Sequence, residues 1–413
     1  MLAVALRSIP LYLALAALTG CVSPEDSPAP APAPSPGIDS SSDPISGLPT
    51  KLREQFGRGD ALFERTHRDG DGLGPLYVRT ACSDCHRADV RGPGLVEKIS
   101  VTEADGITAS ADQSKLQFGH SVRPYVTAGA STPVLAPVDD PQVKTSRRLG
   151  PPVIGRGYME AVLDSEIERQ EQEQAARTDG IHGHINRVTY TSEKNPASSP
   201  VFAKGDTGLI GRFGLKARIA TVDDFTADAF QGDMGITSPM RPVELLNPDG
   251  LTDDDKPGVD TTLDEVNDIA VYMRLLAIPR RPLPADPLGA TLFTSTKCAA
   301  CHAPSLRTRD DYPIQALAGI DAPVFTDFLL HDLGSKLADG LAEGDASSRE
   351  WRTAPLIGLR FNRVLMHDGR ARTIEEAILD HDDEGSEAHG SVTLFQGLSA
   401  AEKAALLAYV GAL

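Results

Sequence analysis

The sequence predicts a mainly α-helical fold in which one unit occurs twice in tandem, the first copy enlarged by a long loop-rich insertion. Three observations carry that expectation. The motif Cys-x-x-Cys-His stands at 82–86 as CSDCH and at 298–302 as CAACH. A leucine–aromatic pair approaches each copy at the same distance, Leu76-Tyr77 and Leu292-Phe293 each leaving four residues before the first cysteine. Two later stretches, TLDEVNDIAVYMRLL at 262–276 and LSAAEKAALLAYVGA at 398–412, share an amphipathic helical pattern with a glutamate seven residues before a tyrosine, Glu265/Tyr272 and Glu402/Tyr409. A motif followed by the same closing helix, twice over, marks a duplicated unit.

The motif gives that unit its chemistry. Cys-x-x-Cys-His is the attachment signal of a c-type haem. Residues i and i+3 of a helical turn share a face, so two cysteines can reach the two vinyl groups of one porphyrin. The histidine at the next position then turns its imidazole toward the iron. A lone copy also fits a zinc half-site or a redox dithiol; two copies in an exported, duplicated framework point to haem. The expected cofactors are two haem c, the first on Cys82, Cys85 and His86 and the second on Cys298, Cys301 and His302, each in a cytochrome-c-like domain.

The elements follow in order. Residues 1–20 form a secretory signal peptide: Arg7 precedes the apolar run LYLALAALTG, and Cys21 comes at once. Leu18-Thr19-Gly20-Cys21 resembles the lipobox of bacterial lipoproteins, which implies a lipid anchor on Cys21, and Val22 after it favours the outer membrane. Residues 21–49 are rich in Pro, Ala and Ser and form an extended tether. The first haem domain spans 50–280 and opens with a helix near Leu52 that turns Phe56, Leu62 and Phe63 inward. Its insertion, about 95–245, has many Gly, Pro, Ser and Asp residues and few clear strands. We expect ordered loops and short helices there, including the charged, solvated helix LDSEIERQEQEQAARTDG. The linker PRRPLPADP at 279–287 leads to the second haem domain, 286–413.

Charge and cysteines narrow the function. A formal net charge of −18 opposes binding to nucleic acid, whose phosphates it repels, and suits a basic protein partner. Of the five cysteines, one is Cys21 and four belong to the haem motifs, which leaves none for a disulfide or a nucleophile. The expected compartment is the periplasm.

The sixth position of each iron decides between electron transfer and catalysis. Methionine there suits electron transfer, histidine gives a lower potential, and an open position admits peroxide or oxygen. Besides the two motif histidines, the candidates are His67, His120, His182, His184, His331, His367, His381 and His389, with Met159, Met234, Met240, Met273 and Met366.

The strings LIGRFGLKARIAT, FQGDMGITSP, DFLLHDLG, EWRTAPLIGL and LMHDGRARTIEEAILDHDDEGSEA recur in order around both motifs. Together they resemble a bacterial di-haem oxidoreductase family related to di-haem cytochrome c peroxidases and MauG, over roughly residues 55–413. The resemblance implies that His381, fourteen residues after His367-Asp368-Gly369, is the far ligand of the second haem. It implies that Asp233, in Asp233-Met234-Gly235, is the catalytic acid–base over the first haem, with Met234, His182 and His184 as competing sixth ligands there. Arg352 and Thr353 match the segment that bonds haem propionates, His331 a hydrogen-bonding position, and Asn186 a calcium ligand, with Asn362 and Val364 lending carbonyls. One departure stands out: where the family carries Gly-Trp-Lys-Ala between the haems, this chain has Gly214-Leu215-Lys216-Ala217. Trp351, in EWRTAPL, is read as packing beside the second haem.

The leading expectation is a peroxidase-like di-haem oxidoreductase that takes electrons from a small periplasmic electron-transfer protein, a basic one, and passes them to peroxide or another small oxidant. The alternatives are a di-haem lipoprotein for electron transfer alone, and an accessory redox protein in periplasmic iron handling.

Overall fold

Apolar residues at helical spacing and well-formed caps account for most of the regular structure. The computed structural model describes residues 42–86, 94–127, 129–137, 139–252, 257–281 and 287–413. The signal peptide, Cys21, most of the tether and the centre of the linker lie outside them. Among the described residues are ten α-helices. The first five are α1 (Thr50–Phe63), α2 (Arg156–Ala161), α3 (Asp164–Ala175), α4 (Val222–Met234) and α5 (Leu263–Leu275). Then come α6 (Pro287–Ser295), α7 (Cys298–Cys301), α8 (Ile374–Asp380), α9 (His389–Gln396) and α10 (Ala400–Gly411). The fold is mainly helical, and no helix among the described residues is long and apolar enough to cross a membrane.

The strands are short and pair in twos, all antiparallel. They are β1 (Leu76–Tyr77) with β3 (Tyr125–Val126), β2 (Leu95–Val101) with β4 (Val143–Leu149), and β5 (Arg187–Val188) with β6 (Leu209–Ile210). In the second half β7 (Leu306–Arg307) pairs with β8 (Asp321–Ala322), and β9 (Leu330–Asp332) with β10 (Glu350–Arg352). The seven-residue β2–β4 ladder corrects the expectation of few clear strands in the insertion. Its sequences, LVEKISV and VKTSRRL, lack the apolar–polar alternation by which a half-buried strand announces itself.

Helices α5 and α10 begin alike. Thr262 caps α5 with Glu265 returning the bond, and Ser399 caps α10 with Glu402 doing the same. The glutamate seven residues before a tyrosine is therefore the third residue of a capping box. The tyrosine marks a helix crossing. A Cβ added to Gly59 of α1 would stand 2.1 Å from the Asp268 carbonyl oxygen and 2.7 Å from Tyr272 Cβ. One added to Gly289 of α6 would meet the Ala405 carbonyl oxygen and Tyr409 Cβ, both at 2.5 Å. Each pair of helices thus closes to backbone contact at a glycine. Phe56 and Phe63 stack about Tyr272, and Phe293 about Tyr409.

Two apolar cores result. The larger collects α1, α2, α4 and α5 and reaches into 303–329; the smaller joins α6, α9 and α10 with Phe325. Both belong to one compact unit. A buried ion network ties the larger core together: the Glu160 carboxylate takes Arg274 Nε at 2.5 Å, the Tyr312 hydroxyl at 2.7 Å and the Val222 N–H at 2.8 Å, while Arg274 also reaches Asp223 at 2.8 Å.

Two expectations need correction. The end of the tether is docked rather than extended: Ile45 and Leu48 are buried, and the Ile45 N–H bonds the Leu275 carbonyl at 2.8 Å. They are the apolar exceptions in a polar stretch. The matched approaches to the two motifs also differ, since Leu76-Tyr77 is strand β1 whereas Leu292-Phe293 lies inside α6.

Replacing Gly59 or Gly289 by Ala forces the crossings apart and should destabilise the protein by about 1–3 kcal/mol. Gly57→Ala, on the open face of α1 with nothing within 4 Å, should stabilise it by about 0.5–1 kcal/mol. Chemical denaturation of the three variants checks this, and a Gly59→Ala protein as stable as Gly57→Ala would refute the crossing.

Candidate haem sites

The second motif follows α6 almost without a break. Cys298 and Cys301 sit one turn apart on α7, and the His302 N–H bonds the Cys298 carbonyl at 2.9 Å. The His302 imidazole donates its Nδ1 proton to the Phe325 carbonyl at 3.2 Å, which leaves Nε2 to face outward. Phe325 presents that carbonyl from a left-handed backbone, φ 48°. Burial first, then the nearby charge of His381, pulls His302 down to about 4, so it is a neutral ligand at neutral pH.

His381 ends α8 and donates its Nδ1 proton to Ala377, one turn back, at 2.6 Å. Burial lowers its pKa as well. His302, His381, Cys298 and Cys301 line one cavity of about 260 Å³ with largely apolar walls. Arg352 and Thr353 line it too. Arg352 bonds only carbonyls among the described residues, Gly214 at 3.0 Å and Thr353 at 2.8 Å. Burial pulls it down to about 10 against the opposing pull of Asp327, and Thr353 Oγ1 is buried without a bond. An apolar cavity with two neutral imidazoles, two thiols, an unneutralised guanidinium and an orphaned hydroxyl fits a flat iron macrocycle that carries carboxylates. The residues fit a haem.

The first motif is built differently. Cys82–Asp84 form a single tight turn. The Asp84 carboxylate accepts the N–H groups of Thr80 and Ala81, both at 3.1 Å, which gives the acid in CSDCH a capping role. His86 donates its Nδ1 proton to the Pro151 carbonyl at 2.9 Å, and burial lowers its pKa. Gly150 lets that segment lie against the motif, since a Cβ there would stand 2.3 Å from the Cys85 carbonyl oxygen. All three expected iron ligands therefore have Nδ1 committed to a main-chain carbonyl.

Asp233 stands near this site. It lies in the last turn of α4, and its carbonyl takes the Val78 N–H at 2.7 Å, just ahead of the motif. No hydrogen bond reaches its carboxylate among the described residues. Burial raises its pKa against the opposing pull of Lys98, His86 and Arg218. Burial and then the Asp233 charge push Cys82 up to about 12 and Cys85 to about 11, so the carboxyl group lies within electrostatic reach of both thiols.

The other sixth-ligand candidates have surroundings of their own. Met234 is 3% exposed and belongs to the larger core. His184 bonds Glu350 through Nε2 at 2.7 Å and pairs with Leu330, and the His182 N–H bonds Glu387 at 2.9 Å. His331 spends both nitrogens, on Glu387 at 2.7 Å and Asp327 at 3.0 Å. Burial opposes its charge, but the Cys301 sulfur and Asp327 outweigh it and hold its pKa well above the ordinary value. The Asn186 amide donates to the Lys216 and Glu343 carbonyls at 2.7 and 3.0 Å and accepts from the Asp345 N–H at 3.0 Å. Protein backbone closes that set without an ion.

Sequence reasoning missed two residues and the exact setting of a third. Pro151 and Phe325 accept the imidazole protons through main-chain oxygens, which side-chain identity does not reveal. Trp351 shares a cavity wall with Leu215, whose carbonyl takes the Arg352 N–H at 2.9 Å. Its ring stacks on His367 at 4.0 Å and lies 4.2 Å from the Lys216 ammonium.

A family model described as "Di-haem oxidoreductase, putative peroxidase" matches residues 95–413. The chain belongs to the di-haem oxidoreductase family. The match begins after CSDCH, so in this di-haem oxidoreductase only the second motif lies inside it. No curated protein matches. Among solved structures, the chain is similar to a hydrazine synthase of Kuenenia stuttgartiensis at 13% identity and TM-score 0.38, over 94% of this chain and 100% of that one. It is also similar to a MauG-like protein associated with microbial copper homeostasis, at 15% identity and TM-score 0.37, over 90% of this chain and 92% of that one. At these values neither likeness bears on function.

Lys216 carries a pH signature of this region. Burial pulls it down to about 8 from its ordinary 10.5, even with Asp339 at 3.5 Å and the Ser347 and Glu350 carbonyls at 2.8 and 2.7 Å. Between those values the unfolded chain holds a proton that the folded one has released, so stability rises with pH across that window. The stability of the wild type relative to Lys216→Met should increase by about 3 kcal/mol from about pH 8 to about pH 10.5, measured by denaturation. A difference that stays flat would show that Lys216 titrates normally.

Proposed function

We propose that this di-haem oxidoreductase is peroxidase-like, with haem c attached to Cys82 and Cys85 at one site and to Cys298 and Cys301 at the other. The observation that carries the reading is an asymmetry. His302 has an opposing imidazole in His381, whereas the residue facing the His86 site is a carboxyl group, Asp233, that makes no hydrogen bond among the described residues. A c-type haem supplies one-electron redox chemistry and, where an iron position is open, a site for peroxide.

The chain's own residues do the rest. His86 and His302 hold iron through Nε2, with Pro151 and Phe325 fixing the ring orientation. His381 closes the second site and suits it to storing an electron. Arg352 and Thr353 receive a propionate. Asp233, whose pKa burial raises, takes a proton from the incoming peroxide oxygen and returns it to the departing one. Peroxide, two electrons and two protons then leave as two waters. The electrons come from a small periplasmic electron-transfer protein, which the acidic surface of the chain would draw if it is basic.

The architecture proposed with this is two tandem cytochrome-c-like units, 50–280 and 286–413, the first enlarged by the insertion at 95–245. The pairings of α1 with α5 and of α6 with α10 support it. The lipobox-like Cys21 supports a lipid anchor and an outer-membrane position in the periplasm. No calcium enters the reading, because backbone groups occupy the Asn186 amide.

Electron transfer alone is the second reading, favoured by His381 and by Leu215 in place of the family tryptophan. Two experiments separate them. Asp233→Asn should lower peroxide turnover by about 10²–10⁴-fold with haem content unchanged, assayed with a reduced cytochrome donor. In electron paramagnetic resonance, two haems that stay low-spin and six-coordinate through half-reduction would decide for the second reading.

A further inference from the structure

Leu215 removes the aromatic ring expected between the sites, yet one residue still belongs to both. We propose that Pro151 is the electronic conduit between the two haem sites, through the hydrogen bond from His86 at one end and its place in the wall of the second cavity at the other. The inference rests on the two-haem reading above.

The contacts are direct. The Pro151 carbonyl oxygen lies 2.9 Å from His86 Nδ1, on the imidazole whose Nε2 faces the first site. Pro151 and Pro152 line the same cavity as Cys298, Cys301 and His302. Electronic coupling decays far less through bonds and a short hydrogen bond than through an open gap. A single residue therefore spans what two separate side chains would otherwise have to bridge.

Its position is also fixed. The Leu149 N–H bonds the His367 carbonyl at 2.8 Å, and Gly150 lies against Cys85. Pro151 has a restricted φ and no N–H to satisfy, so it can hold one orientation between apolar surfaces.

Trp351 is the obvious rival. A ring that hands on an electron by first losing one becomes positive. Here the Lys216 ammonium lies 4.2 Å and the Arg148 guanidinium 5.5 Å from the ring centroid. Asp339 and Glu343 are already paired with those cations. Those paired charges cancel around the ring, so the Trp351→Phe variant is what separates the two routes. The transfer itself moves one electron, oxidising one site and reducing the other, with no atom crossing.

The test uses the full-length protein with both haems. A photoexcited ruthenium complex delivers one electron, and absorbance at the two haem bands follows its redistribution. Pro151→Gly, which keeps the carbonyl and removes the ring, should slow redistribution by about tenfold or more. Trp351→Phe should leave it within about twofold. An unchanged rate in Pro151→Gly, or an equal slowing in Trp351→Phe, overturns the proposal. Pro151→Ala replaces Pro151→Gly if the latter loads haem poorly; failure of both to load would make Pro151 structural and also overturns it. A haem count below two per wild-type chain defeats the two-haem reading instead, and is measured first.

Discussion

An imidazole presents one nitrogen in a defined direction only when its other nitrogen is committed, and the fold meets that condition at His86, His302 and His381. Pro151, Phe325 and Ala377 supply the carbonyls. Only Ala377 is local to its histidine, one helical turn away. Pro151 lies 65 residues from His86 and Phe325 lies 23 from His302, so long excursions of chain must return to within a hydrogen bond. At Phe325 the return uses a left-handed backbone that costs a non-glycine residue about 1–2 kcal/mol. Its ring is 2% exposed, packed against Phe293 and under Arg281, and that burial holds the strained conformation in place.

The two sites meet this condition with unlike local structures. In the second, α6 is pinned to α10 at Gly289 and leads directly into the cysteines, so the helix crossing positions the motif. In the first, α1 ends at Phe63, and the motif depends instead on β1, on the Asp84 turn and on the end of α4. The end of α4 therefore packs against the approach to that motif, where the Asp233 carbonyl accepts the Val78 N–H, so the two motifs sit in unlike scaffolds.

This explains which parts of the molecule were legible in the sequence. Short-range chemistry was: the cysteine spacing, the Glu265/Tyr272 and Glu402/Tyr409 spacing that repeats in α5 and α10, and the apolar faces of α1, α5 and α10. The equal spacing of Leu76-Tyr77 and Leu292-Phe293 misled, because distance along the chain does not distinguish a strand from a helix when the pattern is only two residues long. The β2–β4 ladder lacked alternation, and Ile45 and Leu48 were hidden in a Pro- and Ser-rich stretch. No side chain announces that its carbonyl will accept from an imidazole, so Pro151 and Phe325 could not be named. Trp351 could be named, but its place beside Leu215 depends on how β10 returns to that wall.

The charge balance links these local facts. The chain carries a net −18, yet the groups buried about the sites include Arg148, Arg156, Lys216 and Arg352. Arg148 and Lys216 are neutralised by Asp339 and Glu343, but among the described residues Arg352 hydrogen-bonds only carbonyls, with Asp327 acting on it at longer range. Burying a cation without an anion is expensive, and a carboxylate-bearing guest removes that cost on binding. Haem loading and folding should therefore be coupled most strongly at the second site, where the unpaired guanidinium sits. The first motif has the Asp233 carboxyl group within electrostatic reach instead, and a negative group there opposes a carboxylate-bearing guest that the Arg352 guanidinium would favour.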